Sequence, residues 1–116
     1  IFLLLLANGL EDDPQAACAA TMRFIEEIMQ RAGEPEPLRV TAAFSDGQHV
    51  YALRYASDAS PETLYVRNRQ RSDGTLVVSE PLDDGRDDWE AVPPQSFVTL
   101  GPGGLSIGPL RLAAAA

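Results

Sequence analysis

The sequence has no lysine, one cysteine (Cys18) and one histidine (His49). A single cysteine excludes a disulfide within the chain and a zinc site built from several thiolates. Such sparing use of cysteine fits a reducing compartment, and we expect a cytoplasmic protein. The formal net charge is −8, and all nine basic residues are arginine. We therefore expect no nucleic-acid partner and no membrane partner, because phosphate backbones and anionic lipid surfaces both require clustered positive charge.

Long hydrophobic segments are also absent, since no apolar run reaches the roughly 20 residues of a membrane-spanning helix. The run from Ile1 to Leu6 lacks the basic residues that precede the apolar part of a signal peptide. It predicts instead a buried helix or strand, cut at its start because the chain opens without Met. The 116 residues, 45% of them hydrophobic, suffice for one domain or part of one. We expect a single partial domain over residues 1–116, with 113–116 as a frayed tail.

A long amphipathic helix is predicted between Asp13 and Gly33. Asp13 followed by Pro14 is typical of a helix start, because the aspartate side chain accepts from free amides of the first turn and proline suits the first helical position. Gly33 is typical of a helix end. Apolar residues recur every three or four positions and predict one packed face, with Ile25 and Met29 against the sheet. The full stripe is Cys18, Thr21, Met22, Ile25, Ile28, Met29 and Ala32.

The rest of the chain is typical of short antiparallel strands joined by tight turns. β-type runs alternate with clusters of Gly, Asp, Ser and Pro, the residues that favour hairpin turns. Three hairpins are predicted, from runs 38–44 and 50–55, 63–66 and 75–79, and 96–100 and 105–107. Helices followed by six such strands predict an α+β fold, with antiparallel sheets and the helices packed on one face.

The residues alone present no catalytic constellation. Cys18 lies in mid-helix on the apolar face without a neighbouring base, so a core role is expected. His49 begins a strand with nothing placed to orient it, so a surface or edge role is expected. The acidic segment 83–88 lacks the spacing of a calcium loop, and the glycines at 101–104 lie between strands, where a phosphate cradle has little support. We predict no catalytic, substrate-binding or metal-ligating residue within the chain, and no cofactor.

Several short motifs nevertheless follow one another in an informative order. A β-type run ends in the pair Ser79-Glu80, and the prolines Pro93-Pro94 open the next strand. An arginine-bearing strand and a Pro-to-Tyr segment come before them. In this order the motifs resemble the second half of the glutaminase domain of class II glutamine amidotransferases. They are Arg54-Tyr55-Ala56-Ser57-Asp58, Ser60 to Val66, Leu76 to Leu82, and Trp89 to Pro94.

The beginning of the chain carries a further likeness. The run Phe2 to Leu6, then Gly9-Leu10-Glu11 and the long helix, resembles the small stand-alone members of the family, which include the ergothioneine-pathway amidohydrolase. The resemblance implies the C-terminal part of an αββα sandwich of the N-terminal-nucleophile hydrolase fold. It also implies hydrolysis of a γ-glutamyl amide, glutamine included, by a cysteine thiolate whose oxyanion is held by preorganised donors.

The resemblance also shows what this chain does not contain. The family's nucleophile is a cysteine at the mature N-terminus, and the residues that hold the oxyanion and the glutamine would all precede Ile1. No family catalytic residue can therefore be assigned here, and the implied partner is the missing N-terminal half of the same domain. Ser79 and Glu80 come nearest to a site but are expected to end a core strand. Gln95 stands where the family usually has glycine.

Two functions stay open on this evidence. The first is the C-terminal portion of a stand-alone glutamine amidotransferase or amidohydrolase. The second is a non-enzymatic α+β binding or assembly module, whose apolar N-terminal segment docks a partner. A homo-oligomer is compatible with either function.

Overall fold

The structure, a computed structural model, describes residues 1–68, 75–80 and 89–112. Two helices precede the strands of these segments. The helices are α1 (Phe2–Ala7) and α2 (Pro14–Arg31), and the strands are β1 (Arg39–Ser45), β2 (Val50–Ala56), β3 (Tyr65–Asn68), β4 (Thr75–Val78), β5 (Glu90–Ala91), β6 (Ser96–Gly101) and β7 (Gly104–Pro109). The long helix and the six predicted strands are all present, with ends shifted by at most two residues. The short strand β5 was not anticipated.

The strands form two antiparallel sheets, which confirms the α+β fold. The larger sheet has the order β1-β2-β6-β7 and the smaller has the order β4-β3-β5. Each predicted hairpin pair is adjacent in a sheet and antiparallel. The pairing of β2 with β6, which brings Leu53 opposite Phe97, joins the first and third hairpins into one sheet.

The four-stranded sheet is the middle of three layers. On one face its Leu53, Tyr55 and Phe97 pack with residues of both helices and of the segment that joins them. On the other face its Ala52 and Val98 pack against the three-stranded sheet and its flanks. This arrangement follows from strand alternation, because successive side chains of β2 point to opposite faces of the sheet.

The long helix begins and ends where the sequence predicts. The Asp13 carboxylate accepts from the Ala16 amide at 3.1 Å, and Gly33 has a φ of 70° just past the helix end. Cys18 is fully buried, and so are Ala17, Thr21 and Met22. Ile25 is half-buried and packs against the helix-side core, as predicted, and Met29 is half-buried too.

Two predictions about helical burial are wrong. Ile28 is 48% exposed, because it lies at the margin of the stripe, where the curved helix surface turns away from the sheet. The segment Ile1 to Leu6 forms the N-cap and most of α1 but is not buried as a whole. Leu5 is buried, whereas Leu3 is 78% exposed and Phe2 is 57% exposed. A helix of six residues makes fewer than two turns, and about one residue per turn of 3.6 residues points directly at the neighbouring elements. The other apolar side chains of the segment therefore stay exposed.

Three features named from the sequence lie outside the described residues. They are the turn at 71–74, the acidic segment 83–88 and the alanine tail 113–116. Within the part of the chain that is described, neither helix is long and apolar enough to cross a membrane.

Candidate functional site

The Ser-Glu motif lies at the exposed end of β4. Strand β4 ends at Val78, and Ser79 and Glu80 follow with exposed side chains. The Thr63 hydroxyl donates to the Ser79 carbonyl at 2.9 Å. This bond holds the end of β4 against the segment that leads into β3, so the position of the motif is well defined.

The three-stranded sheet has one face towards the rest of the domain and one face away from it. Val66 is 1% exposed and packs with the four-stranded sheet, so its neighbours in β3 point to the opposite side. Direct pairing puts Val78 and Ala91 beside Tyr65 on that side. The Arg67 guanidinium lies 5.0 Å from the centre of the Trp89 ring. We call this surface the outer face, and it consists of Tyr65, Arg67, Val78, Trp89 and Ala91.

Arg54 joins the two sheets beneath this surface. It projects from β2, and its guanidinium donates to three main-chain carbonyls: Glu62 at 2.8 Å, Val92 at 2.6 Å and Pro61 at 3.3 Å. Arginine suits this position because its fork of donors is planar and always charged. The sequence marks Arg54 as part of a motif, but only the fold shows that its partners are the segments on either side of the smaller sheet.

Gln95 closes the C-terminal end of β2, at Ala56. Continuing the β2–β6 register beyond Arg54 and Ser96 would set Ala56 opposite Pro94, which has no N–H to donate. The Gln95 side-chain amide replaces the missing partner. Its Oε1 accepts from the Ala56 amide at 2.9 Å, and its Nε2 donates to the Ala56 carbonyl at 2.9 Å. Gln95 itself has a φ of 59°, the left-handed region that glycine enters without strain.

Cys18 is placed as a core residue. It is fully buried in the helical layer, and burial raises the pKa of its thiol to about 12. A thiol in this state is neither a nucleophile nor a metal ligand at neutral pH.

His49 belongs to the first hairpin. Its ring stacks on Tyr51 with centroids 5.8 Å apart, and its Nδ1 lies 3.6 Å from Asp46 Oδ2. The amides of His49 and Gln48 donate to the Asp46 carboxylate and lower its pKa. These contacts shape the turn, and Gly101 completes the fit because a Cβ there would lie 2.4 Å from His49 Cδ2. The Ser45 hydroxyl donates to the His49 main-chain carbonyl at 2.7 Å, and among the described residues no hydroxyl or thiol bonds to the His49 imidazole.

A concave site of about 640 Å³ lies between the end of α2, the segment 34–38 and β2. The Tyr55 hydroxyl donates to the Glu26 carboxylate at its wall. Burial, and then the Glu26 contact, raise the pKa of Tyr55. At the rim Arg39 pairs with Asp58 at 2.7 Å. The lining holds carboxylates and a phenol but no thiol or imidazole, and among the described residues no group of three or more His, Cys, Asp or Glu could hold a metal ion.

Comparison with known proteins identifies a relative among solved structures. No protein-family model matches the chain. No curated protein matches it either. Among solved structures, that of a glutamine aminotransferase class-II domain protein from Silicibacter pomeroyi matches with 39% sequence identity and a TM-score of 0.88. The match covers 97% of this chain and 51% of that one, so the chain spans about half of its relative's length. The order of motifs, the layered α+β fold and this match agree, and the chain belongs to the class II glutamine amidotransferase domain family.

Proposed function

We propose that this chain is part of a glutaminase domain that hydrolyses a γ-glutamyl amide through a cysteine outside the 116 residues. The observation that carries the proposal is the match at 39% identity over 97% of the chain, which accounts for only 51% of the matched protein. A chain so similar to half of a longer protein is expected to work together with a segment that corresponds to the other half.

The chemistry of the described residues supports an external nucleophile. With a thiol pKa of about 12, Cys18 would carry a thiolate in only about one molecule in 10⁵ at pH 7. In the proposed reaction, a thiolate from the complementary half attacks the side-chain amide carbon of the substrate. The oxyanion collapses and expels ammonia or an amine, and water then hydrolyses the thioester to release glutamate. A reducing cytoplasm would keep such a thiol available.

The outer face is where we expect the complementary half to pack. A sheet with apolar residues on both faces needs a layer on each side. Both helices of this chain cover the four-stranded sheet on the side away from the three-stranded sheet. The row Val78, Tyr65 and Ala91, with the Arg67–Trp89 pair beside it, therefore offers an apolar surface for another segment of the domain. The exposed Ser79 and Glu80 border this surface.

The test is glutamate release by the chain with and without a complementary half. That half would be supplied from the full gene product or from the corresponding segment of the Silicibacter relative, co-expressed with this chain. We expect no glutamate from the 116 residues alone and measurable release from the pair. Replacing the N-terminal cysteine of the complementary half with serine should abolish release, whereas Cys18→Ala here should change it by no more than a few fold. Glutamate release by the 116 residues alone would refute the proposal. So would the loss of glutamate release by the pair when this chain carries Cys18→Ala and still folds.

One observation favours the second function, a binding or assembly module. Helix α1 and its N-cap residue expose four large apolar side chains, with Ile1 at 62%, Phe2 at 57%, Leu3 at 78% and Leu6 at 38%. Such a cluster is typical of a surface that meets another protein segment. If the reconstituted pair is well folded and monodisperse but releases no glutamate from glutamine or from γ-glutamyl amides, the module is the better description.

A further inference from the structure

Helix α1 presents an apolar surface that no described residue covers. Phe2, Leu3 and Leu6 are 57%, 78% and 38% exposed. Leu6 lies four residues after Phe2 and three after Leu3, so these side chains are neighbours on the helix. The helix is fastened to α2, because the Asn8 side-chain amide donates to the hydroxyl of the buried Thr21 at 3.1 Å. We call Phe2, Leu3 and Leu6 the α1 surface, and its position in the fold is well defined.

A pocket of about 460 Å³ opens beside the α1 surface. Phe2 and Leu6 line it on the helix side, and Leu10 lines it from the segment between the helices. The first hairpin contributes Phe44 and Tyr51, whose ring centroids lie 5.4 Å apart. A pocket of this size with aromatic and aliphatic walls can receive apolar side chains.

The charged residues that line this pocket are acidic. They are Glu11, Asp12 and Asp46, and none of the described lining residues is an arginine. The amides that donate to the Asp46 carboxylate lower its pKa, so it is ionised at neutral pH. Carboxylates around a pocket with apolar walls attract cations and repel anions. An occupant that combines apolar and basic side chains therefore fits, whereas an anionic lipid surface or a second copy of this acidic chain does not.

The length of the solved relative indicates where such an occupant comes from. The match covers 97% of this chain but only 51% of the relative, so about half of the relative's residues lie outside the match. A longer chain buries a larger fraction of its surface when it folds. Apolar surface that is exposed on one half is therefore available for burial by the other half.

We propose that a segment of the complementary half packs on the α1 surface, inserts an apolar side chain into the pocket and places an arginine or lysine beside its carboxylates. This inference rests on the proposed function, which supplies the complementary half. The helices and the three-stranded sheet lie on opposite faces of the four-stranded sheet. The α1 surface and the outer face are thus on opposite sides of the molecule, and the complementary half reaches both by passing around an edge of the four-stranded sheet.

The experiment is photo-cross-linking in the complete gene product, with p-benzoylphenylalanine in place of Phe2. Light should join this side chain to the segment that covers it, within one copy of the protein. We expect mass spectrometry to place the cross-link outside residues 1–116, with an arginine or lysine within about four residues, roughly one helical turn. The same amino acid in place of Ile28, which is 48% exposed on α2, is the matched control and should give no cross-link to that segment.

Thiol labelling provides a second measurement in case the bulky amino acid prevents folding. In the complete gene product, the thiol of Leu3→Cys should react with a maleimide at least about tenfold more slowly than in urea, because the covering segment limits access to it. The thiol of Ile28→Cys should react at similar rates in both conditions. Peptide mapping separates these thiols from Cys18 and from the nucleophile.

Three results would overturn the proposal. The first is a cross-link from position 2 to a second copy or to a lipid, and the second is a cross-linked segment without a nearby basic residue. The third is a Leu3→Cys thiol no better protected than that of Ile28→Cys. Neither measurement uses glutamate release, so an inactive protein with the expected cross-link would refute the proposed reaction alone, and an active protein without it would refute this packing alone.

Discussion

Gln95 offers a direct test of how β2 is held at its C-terminal end to the segment that precedes β6 in the four-stranded sheet. Its side-chain amide makes two bonds of 2.9 Å to the main chain of Ala56, a residue with no exposed surface. Removing both bonds with Gln95→Ala should cost about 2 kcal/mol, at about 1 kcal/mol each, and about 4 kcal/mol if the buried peptide groups stay unpaired. Such a loss is a large share of the 5–15 kcal/mol that stabilises an ordinary domain.

The backbone of Gln95 separates this effect from strain. At its φ of 59°, a residue with a side chain is strained by about 1 kcal/mol, and glycine is not. Gln95→Gly should therefore be destabilised by about 1 kcal/mol less than Gln95→Ala. Urea unfolding of the complete protein measures both, with Gln30→Ala, an exposed glutamine on α2, as the control that should change little. If Gln95→Gly is as stable as wild type, the amide bonds to Ala56 contribute no more than the strain costs, and the reasoning fails.

Three further predictions follow from single contacts. Burial raises the pKa of Cys18 from 9.0 to about 12, so the neutral thiol stabilises the fold below pH 9 and this contribution is lost as pH rises towards 12. Between pH 9 and 12 the unfolding free energy of wild type should therefore fall more steeply than that of Cys18→Ala, by up to about 1.4 kcal/mol per pH unit. Arg54→Lys should lower the unfolding free energy by about 1.5–3 kcal/mol, since an ammonium group cannot reach three carbonyls at once, whereas Arg39→Lys at the exposed surface should have little effect; equal melting temperatures would contradict this. Gly101→Ala should be destabilising in wild type and much less so alongside His49→Ala, because the three atoms nearest to the new Cβ all belong to the imidazole ring. A double-mutant cycle without coupling would refute that contact.

Most of the secondary structure could be predicted from local patterns. Asp13 and Gly33 bound α2 because capping and left-handed backbone are properties of individual residues and their immediate neighbours. The hairpins could be predicted for the same reason, since their turns contain Gly and Asp at positions that favour tight reversal. Strand β5 escaped prediction because two residues carry no periodicity, and Glu90–Ala91 becomes a strand only by pairing with β3.

The candidate site was less accessible to sequence reasoning. Arg54 could be recognised within a motif, but its three carbonyl partners come from segments up to 38 residues away. The burial of α1 was predicted wrongly for a related reason. A run of six apolar residues shows that a segment is hydrophobic, but which of its sides is covered depends on the neighbouring elements.

The sequence by itself determined the helix and strand order and the likeness to glutaminase domains, because these rest on residue chemistry and local spacing. Only the tertiary structure decided which surfaces face each other. It split the strands into two sheets and gave Gln95 the role that Pro94 cannot fill. It also left the outer face and the side chains of Phe24 and Ile28 on the surface. Those outcomes depend on contacts between residues that are far apart in the sequence. Each such contact depends on how the rest of the chain packs, so no short segment specifies which surfaces meet.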